Sequence, residues 1–269
     1  MRRDPGPDFI EALARGLDVL RSFQPGRPSM TLSEIAAEAQ LARPTTRRIL
    51  ITLQTLGYVR SDATVFSLTP RVLELGMAYI GSQNIWELAE PHLRALSVRT
   101  EESCSVAQLD GSDIVYVSRV AVPKLVTLSV TIGTRFPAVQ TSLGKVLLAA
   151  LDGPELDHVL ALPSRSGVTP RHHPQRDELD EMLRDVRAKG WAMTDEELAF
   201  GIRSVAAPIR NGQGRTVAAV NVNAHAAETS VADLLEVYLP PLLRAAGDIG
   251  ADWAAWEARP IATVAPQAG

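Results

Sequence analysis

Residues 31–58 read TLSEIAAEAQLARPTTRRILITLQTLGY, and the parsing of this stretch decides the fold. Thr31 followed three residues later by Glu34 is a capping-box pair, in which the threonine hydroxyl and the glutamate carboxylate each satisfy a backbone N–H at a helix start. A helix is therefore predicted to begin at Leu32, with Ile35, Ala36 and Ala39 on its apolar face. Residues 40–42 suffice only for a turn, and Pro44 suits the first position of a second helix, where a missing N–H is harmless. Ile49, Leu50, Leu53 and Leu56 keep helical spacing, so the second helix is predicted over residues 43–56, with Arg43, Thr45, Arg47 and Arg48 facing outward near its N-terminus. Two helices joined this way form a helix-turn-helix, and that end of the second helix is the part presented to DNA base edges.

The charge pattern supports the same reading. The chain of 269 residues carries 31 acidic and 27 basic residues, yet residues 39–61 hold four arginines (Arg43, Arg47, Arg48, Arg60) and no acid. A basic strip on an acidic protein marks a local polyanion site rather than general nucleic-acid coating. An ordinary solvated helix face would look similar for Arg47 and Arg48 alone, so the flanking elements must decide.

Residues 9–23 keep a helical period and predict an amphipathic first helix. After the helix pair, Gly57 stops the chain, and residues 58–60 and 65–68 are β-favouring arms around a polar turn at 61–64. Helix, helix-turn-helix and hairpin make a winged helix-turn-helix, whose wing can lie along phosphates. Pro70 opens a further helix predicted over 70–80, and residues 81–84 read as a hinge. Beyond it the pattern alternates. A helix over 85–99, strands at 103–109, 114–120, 125–132, 204–209 and 216–222, helices at 143–151 and 179–189, and a terminal helix over 231–256 bent at Pro240–Pro241 predict an α+β sheet domain with helices on one face.

Hydrophobic content of 46% and charged content of 22% are those of a globular protein with ordinary cores. No run is apolar enough for a bilayer span and no signal core follows the first residues, which predicts a cytoplasmic protein with no membrane partner. The one cysteine, Cys104, excludes an internal disulfide and a cysteine-rich zinc site; no metal and no cofactor are expected.

Four stretches resemble the IclR family of bacterial transcriptional regulators: ARPTTRRIL (42–50), LTPRVLELG (68–76), GTRFPAVQTSLGKVLLA (133–149) and DEELAFGIRSVAAPI (195–209). The last, followed by VAAVNV (217–222), is similar to the branch that regulates aromatic-acid and β-ketoadipate catabolism, with protocatechuate and 4-hydroxybenzoate among its compounds. The resemblance implies a winged helix-turn-helix domain (1–69), a linker helix and hinge (70–84), a GAF-like α/β effector-binding domain (85–257) and a tail (258–269). It implies a homodimer or homotetramer on palindromic operator DNA, answering to a small aromatic or dicarboxylic acid. DNA contacts are expected from Arg43, Thr45, Thr46, Arg47, Arg48 and Arg60. The effector pocket is implied to include Leu125, Leu128, Ser142, Leu143, Thr194, Asp195, Ile202, Ser204, Asn221 and Asn223.

Residues 140–145 (QTSLGK) fail as a phosphate loop, because Val139 and Val146 stand where glycine and a hydroxyl are needed. Small polar residues opening a helix could still receive a carboxylate, or Thr141 and Ser142 could simply cap it. Arg203 is either a charge partner for the acid or a salt-bridge partner of Glu196 or Glu197. The alternatives are a regulator of the same family sensing an unrelated small carboxylic acid, a sensor or scaffold whose winged domain binds protein, and a small-acid-processing enzyme, with Cys104 or its neighbouring serines as nucleophile and His158, His172, His173 or His225 as base, but no motif orders these. Cys104 on a strand is otherwise a small buried hydrophobe.

Overall fold

The computed structural model describes residues 6–24, 26–76, 85–123, 130–169 and 171–258. The chain divides into two compact units, Met1–Gln83 and Asn84–Gly269.

The first unit contains α1 (Glu11–Arg21), β1 (Ser29–Thr31), α2 (Leu32–Glu38), α3 (Arg43–Thr55), β2 (Val59–Asp62) and β3 (Val65–Leu68). The capping box forms as predicted: Thr31 N–H donates to the Glu34 carboxylate at 2.8 Å and Glu34 N–H donates back to the threonine hydroxyl. The turn into α3 is carried by Gln40 at φ 54°, left-handed backbone that glycine usually supplies. Ile35 of α2, Leu50 and Leu53 of α3, Val19 of α1, Met30 and Val59 bury together as the core. The wing is antiparallel, with Arg60 opposite Ser67. A third strand, β1, joins it in the order β1-β3-β2; its three residues end on the helix cap Thr31 and are too few to show alternation. Of the helix predicted over 70–80, Pro70–Val72 form a 3-10 turn and residues 73–76 are helical. Residues 77–80 and the hinge at 81–84 lie outside the described residues.

The second unit contains α4 (Ile85–Thr100), β4 (Ser103–Asp110), β5 (Asp113–Val120), β6 (Arg135–Pro137), α5 (Ser142–Ala149), α6 (Gly153–Ala161), α7 (Arg176–Lys189), β7 (Ala192–Asp195), β8 (Ile202–Arg210), β9 (Thr216–His225) and α8 (Leu239–Glu257). A π-helical turn, Leu234–Tyr238, comes just before the Pro240–Pro241 pair and accommodates the missing donors there. The sheet order is β6-β5-β4-β9-β8-β7, antiparallel throughout. Helices cover both faces, not one. Residues 103–107 and 204–207 are buried without interruption, the pattern of strands covered on both sides. Ala107, Tyr116, Ala206 and Ala219 face α5 and α7 across one core. Cys104, within contact of Thr100 on α4, marks the other face, where α4 and α8 pack on each other and on the sheet. Helix α5 lies so close to the turn at Ala138–Gln140 that a Cβ on Gly144 would fall 2.0 Å from the Ala138 carbonyl oxygen. The strands β6 and β7 and helix α6 carry no prediction in the sequence reading. Most of the strand predicted at 125–132 lies outside the described residues, and residues 130–132 are not in a strand.

Candidate functional site

On α3, Thr46, Leu50 and Leu53 turn inward, which leaves Arg43, Arg47 and Arg48 exposed. Arg43 is held by the hydroxyl of Ser33 on α2. In the wing, Arg60 Nε donates to Ser67 Oγ at 3.0 Å. Among the described residues neither the Arg47 nor the Arg48 guanidinium has an ion-pair or hydrogen-bond partner, so both keep all their donors for an external anion. Thr46 does not belong with them. It is 0% exposed and its hydroxyl donates to the Ala42 carbonyl at 3.2 Å, one turn back in the helix. Thr45 is half-buried, beside Arg48 in a groove facing α1.

In the second unit the strand register collects polar side chains into two adjacent rows on the face toward α5. Thr194 pairs with Ser204, Ser204 with Asn223 and Asn223 with Ser103 across β7, β8, β9 and β4. One row over, Ala206, Asn221, Ser105 and Arg119 are successive partners across β8, β9, β4 and β5. These rows floor a cavity of about 60 Å³ whose walls include Tyr116, Phe136, Leu198 and Ile202. The hydroxyls of Ser142, Ser204 and Thr194 form a chain, at 2.7 Å and 2.9 Å. Asn221 Nδ2 donates to Asn223 Oδ1 at 3.1 Å, while Asn221 Oδ1 is buried with no partner.

The chain matches the IclR helix-turn-helix domain over residues 12–63 and the bacterial transcriptional regulator IclR C-terminal domain over residues 77–251. It belongs to the IclR family. It is 38% identical over 244 residues to the Pca regulon regulatory protein of Pseudomonas putida, covering 90% of this chain and 84% of that protein. The p-hydroxybenzoate hydroxylase transcriptional activator of Acinetobacter baylyi is 31% identical over 247 residues, 90% of this chain and 91% of the relative. The crystal structure of a proposed transcriptional regulator from Rhodococcus sp. RHA1 is 48% identical, with a TM-score of 0.79, covering 92% of this chain and 100% of that one. This protein is therefore a helix-turn-helix transcriptional regulator with an IclR effector domain.

Of the pocket residues expected from the IclR resemblance, Thr194, Ile202, Ser204, Asn221 and Asn223 come together at the cavity. Ser142 stands one bond behind, fully buried against Ser204, and Leu143 points into the core. Asp195 departs from the expectation: its carboxylate is engaged by Arg203 at 2.8 and 2.9 Å, and it does not line the cavity. Arg203 thus pairs with Asp195 rather than with Glu196 or Glu197. Leu125 and Leu128 lie outside the described residues. At the start of α5, Thr141 is the cap, accepting from Gly144 N–H at 3.0 Å. The sequence reading omitted Tyr116 and Arg119 for a geometric reason. Residues three apart on a regular strand face opposite ways, but Val106 pairs with Ser118 and Ala107 with Tyr116, so Val117 is an extra, bulged residue. Tyr116 and Arg119 consequently share the pocket face.

Burial pushes the Cys104 thiol up from 9.0 to about 12, and burial likewise pushes the Tyr116 phenol up from 10.0 to about 12. Unfolded, both groups give up their protons sooner than they do in the native state. Above about pH 9 the unfolded chain therefore binds fewer protons, and stability falls as pH rises toward 12, by on the order of several kcal/mol for two such groups. Urea midpoints measured from pH 8 to pH 11 should decline in the wild-type chain and decline less in Cys104→Ala. Equal decline in both would remove Cys104 from this account.

Proposed function

We propose that this protein is a cytoplasmic, ligand-responsive regulator of aromatic-acid catabolic genes, with α3 and the wing on operator DNA and a small carboxylic acid in the sheet pocket. The observation that carries the reading is the polar floor of that pocket: hydroxyls and amides from four strands, brought into register beside the apolar walls of Tyr116, Phe136, Leu198 and Ile202, are what fixes the orientation of a small polar ligand. The names of the Pseudomonas and Acinetobacter relatives support protocatechuate, 4-hydroxybenzoate or β-ketoadipate as the compound class. Thr45, Arg47 and Arg48 read the major groove; Arg43 and Arg60 hold phosphates. Thr194, Ile202, Ser204, Asn221 and Asn223 surround the effector, with Ser142 fixing Ser204.

The domain plan is a winged head (1–69), a linker helix and hinge (70–84), a GAF-like effector domain (85–257) and a tail. The protein works as a homodimer or tetramer, in keeping with the exposure of Leu13 and Leu17 on α1 and of Ile10 at its cap. It binds its effector without turning it over. Among the described residues, the hydroxyls of Ser142 and Thr194 both bond to Ser204 and none of the three bonds to a histidine, so none of these three is paired with a base.

The cavity of about 60 Å³ is well below the roughly 150 Å³ that admits benzene in an engineered protein core. Seating an aromatic ring therefore moves the walls, and a ligand that favours one wall position over another can bias operator affinity. The test is a thermal-shift series with protocatechuate, 4-hydroxybenzoate and β-ketoadipate, followed by operator titration with and without the best binder. Ligand at 100 times Kd should stabilise the protein by about 2.7 kcal/mol and change operator affinity. Catalytic consumption of the acid, or binding that leaves operator affinity unchanged, would sink the proposal.

A further inference from the structure

Among the described residues, Arg119 carries the one guanidinium lining the cavity. Its Nη1 donates to Ser105 Oγ at 3.0 Å, and its Nε is buried with no hydrogen-bond partner. Among the described residues no carboxylate forms an ion pair with it. Desolvation lowers its pKa, and the groups whose ionisation would offset that are Tyr116 and Cys104, both held protonated at neutral pH. A desolvated cation without a counter-ion is unfavourable, and one retained at the wall of a cavity is matched to an anion that arrives there. A second orphan has the opposite sense. Asn221 Oδ1 is a buried acceptor with no donor, and Asn221 lies two strands from Arg119, about 9.5 Å across the sheet.

We propose that Arg119, turned into the pocket by the bulge at Val117, is the counter-ion for the effector's carboxylate, and that Asn221 Oδ1 accepts from a hydroxyl at the ligand's other end. This rests on the reading of the pocket as the effector site, and it narrows the ligand to a hydroxy-substituted carboxylate. A dicarboxylate ionised at both ends carries no donor for Asn221. The buried Tyr116 phenol lines the same cavity as the guanidinium.

Isothermal titration with 4-hydroxybenzoate, its neutral amide 4-hydroxybenzamide, and unsubstituted benzoate tests both ends. The wild-type chain should bind the acid on the order of 100-fold more tightly than the amide, since removing one partner of a desolvated charge pair is expensive. It should bind benzoate at least about 10-fold more weakly than 4-hydroxybenzoate, because the asparagine acceptor is left unpaired. Arg119→Met should bring acid and amide within a few-fold of each other. Arg119→Lys, which keeps a cation but loses the planar fork, should retain part of the preference and serves if the methionine variant does not fold. An acid-to-amide ratio unchanged in either variant overturns the assignment of Arg119. Wild-type protein that binds the amide as well as the acid also overturns it, leaving the pocket reading intact. Equal affinity for benzoate and 4-hydroxybenzoate overturns the role of Asn221, and failure to bind all three compounds overturns the pocket reading with it.

Discussion

Replacing Arg47 and Arg48 together with alanine should weaken binding to the protein's own upstream operator fragment by at least about 100-fold, while leaving effector binding unchanged. Both side chains are exposed on α3, near its N-terminus, and neither is engaged by the protein among the described residues. Each specific arginine–guanine contact is worth about 1–3 kcal/mol of discrimination, so losing two accounts for the loss. The single variants separate two kinds of contact. If an arginine reads a base, its alanine variant loses preference for operator over random DNA and keeps the salt dependence. If it holds a phosphate, affinity falls for every sequence alike and the slope of log K against log salt drops by about 0.9. The substitutions should not disturb folding, because the core of this unit is built from the opposite face of α3, through Leu50 and Leu53. Operator affinity in the double variant within a few-fold of wild type would remove α3 as the DNA-reading element.

The contrast between α3 and the pocket shows which parts of the molecule a sequence displays. Helix caps, apolar period and charge are local, so the capping box at Thr31, the start of α3 at Arg43 and the arginines on its face were all legible. The error there, Thr46, is the rotation of one residue about a helix, where a hydroxyl turns inward to its own backbone. The pocket is non-local. Thr194, Ser204, Asn223 and Ser103 lie on four strands and meet only through register, and resemblance to a family supplied three of them where pattern could not. Arg119 was invisible because a single bulged residue reverses the facing of all that follows it on the strand. Asp195 was misread for a related reason: its pairing with Arg203 is set by the antiparallel register of β7 and β8. Strands of three or four residues, such as β1, β6 and β7, are too short to carry an alternating signal.

Lys145→Met should lower the stability of the second unit by about 3–5 kcal/mol, the usual result of stranding one partner of a buried ion pair. Lys145 emerges from α5 with its side chain 3% exposed, and its ammonium donates to Glu197 Oε1 at 2.6 Å. Glu197 is in no position to find another cation cheaply. Its second oxygen, Oε2, is already buried without a partner, and its backbone carbonyl is fixed by the N–H of Arg171 at 3.1 Å. The pair ties α5 to the turn over residues 196–201, which is closed on itself by Glu196 accepting from Gly201 N–H at 2.7 Å. That turn supplies Leu198 to the cavity wall. Removing both charges, as Lys145→Met with Glu197→Leu, leaves nothing ionised to bury and should recover most of the loss, since an apolar pair of similar volume often matches or exceeds a buried salt bridge. Calorimetric unfolding of the two single variants and the double variant closes a mutant cycle on this contact. Titration of the double variant with 4-hydroxybenzoate then asks a separate question. Stability restored with effector affinity still reduced would mean that the tether positions the wall of the pocket; affinity restored as well would confine Lys145 and Glu197 to holding the fold, and a cycle showing no coupling between them would refute the contact as a source of stability.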